Sequence, residues 1–184
     1  MDQSEIVAEV WRAEFLECVH RGHIAVCSTK GELLAGWGDP NAVVLPRSSC
    51  KMLQALPLIE SGAANTFGLG PEQLALACAS HNGAMIHTQR VAAWLNDLGL
   101  SEADLRCGGQ MPDDQDAMKG IICGDHRIDQ THNNCSGKHS GFLTLNKHLG
   151  GGPDYEMIDN PIQVAIKTAF EEVTDESSPR FAID

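Results

Sequence analysis

Ala42-Val-Val-Leu-Pro-Arg-Ser-Ser-Cys-Lys-Met-Leu-Gln-Ala-Leu-Pro-Leu-Ile59 changes its period part-way along, and that change sets the fold class. Ala42–Leu45 is a short apolar run of the kind that forms a strand, and it leads into Pro46-Arg47-Ser48. Beyond it, Met52, Leu53, Leu56 and Ile59 recur at helical spacing. Ser48 therefore stands at a strand-to-helix junction. Pro57 removes a backbone donor and is expected to kink or end the helix.

Upstream, apolar residues between Val7 and Gly38 come in short runs separated by turn residues. Cys27-Ser-Thr-Lys-Gly-Glu32 reads as a hairpin turn between strands Ile24–Cys27 and Leu33–Trp37, so the opening is expected to be antiparallel sheet. Downstream, helices dominate. Pro71–Ala79 reads as a short helix with proline in its first turn, ending at Ser80-His81-Asn82-Gly83. Ile86, Val91, Trp94, Leu95 and Leu98 mark an amphipathic helix that stops near Gly99, and Ser101–Asp104 offers a capping box for another. Residues 107–134 show little periodicity and read as a long irregular connection. Phe142, Leu145 and Leu149 then predict one helix, and Asn160-Pro161 starts a last one through Val173. The final Phe181-Ala-Ile-Asp184 resembles the start of a strand.

Composition narrows the function classes. A chain of 184 residues that is 42% hydrophobic can bury a sizeable core. Its net charge of −12 and pI near 4.9 exclude a polyanionic partner such as nucleic acid, which needs clustered Lys and Arg. No apolar run approaches the roughly eighteen residues of a membrane span, and the acidic start Met1–Glu5 lacks the positive charge of a signal peptide. A cytoplasmic location is expected. Seven cysteines without CxxC spacing suit reduced thiols, most of them buried.

Three short segments can carry chemistry. Ser48-Ser-Cys-Lys51 sets a hydroxyl and an amine three residues apart at a helix start, where such positions share a face at roughly 5–6 Å between Cβ atoms. A serine hydroxyl becomes a strong nucleophile only when a base takes its proton, and an unshielded lysine, with pKa about 10.4, is neutral in about one molecule per thousand at pH 7. Burial or a nearby cation must lower that pKa, while the helix N-terminus favours an alkoxide and a developing oxyanion. S-x-x-K is also the common pattern of a capping serine followed by a solvated lysine. Ser80-His81-Asn82 offers a second hydroxyl as proton relay or substrate anchor, or an ordinary turn. Cys135-Ser-Gly-Lys138 sets a thiol beside an amine just before a helix; a structural thiol and a metal site are both open readings. His81, His87, His132 and His139 are possible further donors. Lys167-Thr168-Ala169 falls inside the last helix and reads as helix surface, not as the K-T-G strand of penicillin-recognising enzymes.

Taken together, Leu45–Lys51, Gln54–Ala64, Leu74–His81, Leu105–Gly109 and Asn133–His139 resemble the successive blocks of the rhizobial-type, thermolabile L-asparaginases, and the resemblance covers roughly residues 7–184. It implies an α+β, or mixed α/β, fold like that of serine β-lactamases and glutaminases, an antiparallel sheet flanked by helices. It implies hydrolysis of L-asparagine to L-aspartate and ammonia, with Ser48 as nucleophile, Lys51 as its base and Ser80 as second serine. Arg47, His81 and Asp184 would neighbour the site, Cys135 and Lys138 would be two zinc ligands, and the assembly would be a homodimer. Met52 and Asn82 depart from the family pattern, which commonly has proline and serine there. The family's third zinc ligand, a cysteine in a D-G-C motif, and its second catalytic lysine have no counterpart in the sequence. Residues 1–184 are thus expected to be the N-terminal part of one asparaginase-like domain. Two other readings stand beside this: a truncated, non-catalytic metal- or ligand-binding fragment, and a penicillin-recognising serine enzyme.

Overall fold

The computed structural model describes residues 3–175. The chain divides into two compact units, one ending at Leu45 and one starting at Pro46. The first is all antiparallel strand. β1 (Glu5–Arg12) pairs with β2 (Phe15–Gly22), and β3 (Ile24–Cys27) pairs with β4 (Leu33–Trp37), giving two separate two-stranded ladders. The hairpin read from Ile24–Cys27 and Leu33–Trp37 forms with those bounds. Ala42–Leu45 does not form the expected strand: it finds no ladder partner among the described residues, and apolar character alone does not make a strand without one.

The second unit is helical: α1 (Lys51–Glu60), the single turn α2 (Ala63–Thr66), α3 (Pro71–Cys78), α4 (Met85–Asp97), α5 (Gln115–Cys123), α6 (Ser136–Leu149) and α7 (Pro161–Thr174). The fold is mixed α+β. Its core lies among the helices and contains Leu58, Leu76, Trp94, Leu95, Leu145, Tyr155, Ile162 and Ile166, all buried.

α6 is central and packs against α1, α2, α3, α4 and α7. A helix enclosed on so many sides buries polar residues, and Ser140 and Thr144 are satisfied by carbonyls of the helix itself. Ser140 Oγ donates to Ser136 O and Thr144 Oγ1 to Ser140 O, both at 2.9 Å, and Thr144 Oγ1 accepts from Trp94 Nε1 at 3.1 Å. Gly137 and Gly141 form the adjacent stripe. A Cβ on Gly137 would lie 2.6 Å from Leu76 O, and one on Gly141 would lie 3.2 Å from Ala77 Cβ, so glycine sets the distance between α6 and α3. Gly137→Ala is expected to destabilise the chain by about 1–3 kcal/mol through overpacking despite alanine's better helix propensity, and Gly141→Ala by less. Denaturant melts of both variants check that order.

Several sequence expectations need correction. α1 runs through Pro57 to Glu60, because the ring removes one hydrogen bond near the helix end while Pro57 and Leu58 are buried. Its buried stripe is Lys51, Ala55 and Leu58; Met52 and Ile59, counted on the apolar face, are 67% and 54% exposed. Ser101 caps only the 3-10 turn Glu102–Asp104, not a longer helix. The connection 107–134 contains α5, capped by Asp114, whose carboxylate accepts from Ala117 N at 2.9 Å. Leu149 is partly exposed at the end of α6. All seven cysteines are free thiols as expected, but none is fully buried: Cys18, Cys27 and Cys123 are exposed and the rest half-buried. Phe181–Asp184 lies outside the described residues.

Candidate active site

Three segments of the helical unit carry the candidate residues, and two of them meet at Lys51. The first is the 3-10 turn Arg47–Cys50, which leads into α1. Arg47 has φ +45°, a conformation that non-glycine residues rarely adopt and that costs of order 1–3 kcal/mol, directly before Ser48. Cys50 Sγ donates to Arg47 O, and Lys51 N–H donates to Ser48 O, closing the turn. Ser48 and Arg47 are exposed, whereas Lys51, three residues after Ser48, is only 2% exposed.

The second segment is the α3–α4 loop. Lys51 Nζ donates to Ala79 O at 2.8 Å and to Ser80 Oγ at 2.7 Å, so the buried amine is held by the residues that end α3. Ser80 itself is exposed. The arrangement is an amine shielded from water with serines at the surface on two neighbouring segments. The structure joins Lys51 to Ser80; Ser48 shares Lys51's turn but its hydroxyl makes no hydrogen bond to the amine.

The third is the N-terminal turn of α6. Cys135 occupies the N-cap and is half-buried; Lys138, one turn on, is buried with Nζ 5.3 Å from the centroid of the Phe142 ring. Burial raises the Cys50 thiol pKa, while its backbone hydrogen bond and the nearby Lys138 and Lys51 side chains pull it back. Cys107 is pushed up to about 11 by burial, with Cys135 adding to the rise and Lys138 opposing it. No carboxylate pairs with Lys51 or Lys138 among the described residues.

His81, next to Ser80, is buried. Its Nδ1 accepts from Gly83 N at 3.1 Å, so Nε2 carries the proton and donates to Ser136 Oγ at 2.8 Å. The His87 ring stacks on it with centroids 5.1 Å apart. Ser136 and Thr131, whose carbonyl accepts from Ser136 Oγ, were not singled out in the sequence; a polar residue at the first turn of a largely buried helix was the available sign. Asp184 lies outside the described residues.

The sequence model of the L-asparaginase II family matches residues 8–184, and this span contains all three segments. The chain belongs to the L-asparaginase II family. No individual curated protein matches it. Membership makes it an asparaginase-type amidohydrolase by family, with a small-molecule amide as substrate. No helix among the described residues is long and apolar enough to cross a membrane.

The metal expected from the resemblance can be tested against the donors present. Cys135 at the N-cap of α6 and Lys138 in its first turn are three residues apart. Among the described residues no group of three or more His, Cys, Asp or Glu is placed to hold a metal.

Burial, followed by the influence of His87, Lys51 and His132, lowers the His81 pKa from 6.5 to about 4. The native state thus favours neutral His81, and the unfolded chain binds more protons between those two values. Its contribution, on the order of 3 kcal/mol, is fully present above pH 6.5 and is lost as pH falls towards 4. An NMR titration is expected to show the His81 ring unprotonated at pH 5.5.

Proposed function

We propose that the chain hydrolyses L-asparagine with Ser48 as the nucleophile and Lys51 as its base. The observation that supports this best is the buried amine of Lys51, hydrogen-bonded to Ser80 and Ala79 O and one helical turn after an exposed serine. Those two bonds use two of the nitrogen's hydrogens. The remaining position is a lone pair in the neutral amine, and it accepts the Ser48 proton as Oγ attacks the side-chain amide carbon. The tetrahedral intermediate then expels ammonia, which leaves with that proton. Water, deprotonated by the same amine, cleaves the aspartyl ester to release aspartate and restore Ser48.

Ser80 receives a hydrogen bond from Lys51 and keeps its own hydroxyl proton to donate to substrate. The Arg47 backbone, held at positive φ, fixes where the Ser48 turn begins. A zinc ion held by Cys135 and Lys138 would supply Lewis-acid polarisation and order near these groups. The helical unit would take the place of the helices in the β-lactamase-like arrangement.

Ammonia release from L-asparagine by the 184-residue chain, measured with and without added zinc, is the test. Asparagine-dependent release is expected, and release that is unchanged when both serines are replaced by alanine contradicts the assignment.

A further inference from the structure

His81 is held by more hydrogen bonds than a turn residue requires. Its backbone N–H donates to Asn134 O at 3.1 Å, Nε2–H donates to Ser136 Oγ, and Nδ1 accepts from Gly83 N. Ser136, fully buried, donates its own hydrogen bond to Thr131 O at 2.9 Å. Asn134 and Ser136 are the residues on either side of Cys135. The residue after Ser80 is thus tied to both neighbours of Cys135, and Gly137 brings the same turn of α6 against Leu76 of α3.

The network is closed. It ends on backbone groups in each direction, at Gly83 N–H and at Thr131 C=O, so neither ring nitrogen is free to take a proton from substrate or to pass one on. That argues against the relay or anchor role which the loop position alone suggests.

We infer that His81 is a positioning residue that, with Ser136, locks the loop bearing Ser80 to the turn bearing Cys135 and Lys138. This rests on the reading of Ser80 and Lys51 as catalytic groups. The lock keeps Ser80 in register with Lys51 and holds the thiol–amine turn at a fixed separation from both, in the way a small displacement distant from the chemistry can slow a reaction.

The test compares His81→Phe, which keeps a ring and loses both ring hydrogen bonds, with His81→Gln, which keeps an amide N–H for Ser136. For asparagine hydrolysis, His81→Phe is expected to lower kcat by roughly 10- to 100-fold with little change in KM, and His81→Gln to recover most of that loss. The acid limb of the pH profile is expected to stay in place in both. A second readout does not depend on turnover: the rate at which iodoacetamide alkylates Cys135, resolved from the other cysteines by mass spectrometry. It is expected to rise severalfold in His81→Phe and in Ser136→Ala, with exposed Cys123 unchanged.

If the wild-type chain releases no ammonia, the functional reading fails while the alkylation rates still judge the lock. Should His81→Phe fold poorly, Ser136→Ala and His81→Gln decide. Unchanged Cys135 alkylation in Ser136→Ala overturns the inference, as does an acid limb that moves in His81→Gln, which would place His81 in proton transfer.

Discussion

Ser48→Ala is expected to reduce ammonia release from L-asparagine by roughly 10³–10⁶-fold while leaving stability within about 0.5 kcal/mol of wild type. The separation follows from where Ser48 sits. It is exposed on the Arg47–Cys50 turn and its side chain makes no hydrogen bond among the described residues, so its loss removes chemistry without opening a cavity or stranding a buried partner. The strained backbone at Arg47 is unaffected because the turn is closed by Ser49 Oγ and Cys50 Sγ, which bond to Pro46 O and Arg47 O. Parallel denaturant melts and ammonia assays check both halves. A variant that loses activity only in proportion to lost folded protein would assign Ser48 to structure.

Lys51→Met is expected to remove turnover to a similar extent, with a different signature in stability. The thioether fills nearly the same space along the buried stripe with Ala55 and Leu58, so the core closes around it. What is lost is the donor to Ala79 O and Ser80 Oγ, at about 1–3 kcal/mol for an unsatisfied group, offset by the removal of a desolvated amine. The midpoint of thermal unfolding should therefore shift by only a few degrees while the rate collapses. Lys51→Arg should not rescue activity, since guanidinium stays charged and cannot accept a proton. Retained hydrolysis in Lys51→Met would remove the base from the mechanism.

Much of this was legible in the chain because local rules agreed with the fold. The β3–β4 hairpin followed from Ser28–Glu32, and α4, α6 and α7 from apolar spacing and from Asn160-Pro161, where the Asn160 side chain accepts from Ile162 N at 3.1 Å. The first hairpin was harder to delimit because its turn uses Ala13 at φ +52° and Glu14, without glycine or asparagine to announce it. The face of α1 was misread for a physical reason: a buried lysine leads the stripe, and hydrophobic periodicity cannot count a lysine. The helix Gln115–Cys123 went unseen although Asp114, Ala117, Met118 and Ile121 together carry its cap and spacing. At the site, the motifs placed Ser48, Lys51, Ser80, Cys135 and Lys138 on their turns. Sequence could not show that Lys51 reaches across to Ser80, 29 positions away, or that His81 joins Ser136, because those pairings depend on how α1, α3 and α6 pack.

The central claim is that Ser48 attacks the amide and carries the aspartyl group. It is tested most directly by acid-quenching the chain during turnover of L-asparagine and mapping adducts by peptide mass spectrometry. The account predicts an aspartyl ester on the peptide containing Ser48, absent in Ser48→Ala; hydrolysis proceeding with no adduct on Ser48, or with the adduct on Ser80 instead, would contradict it.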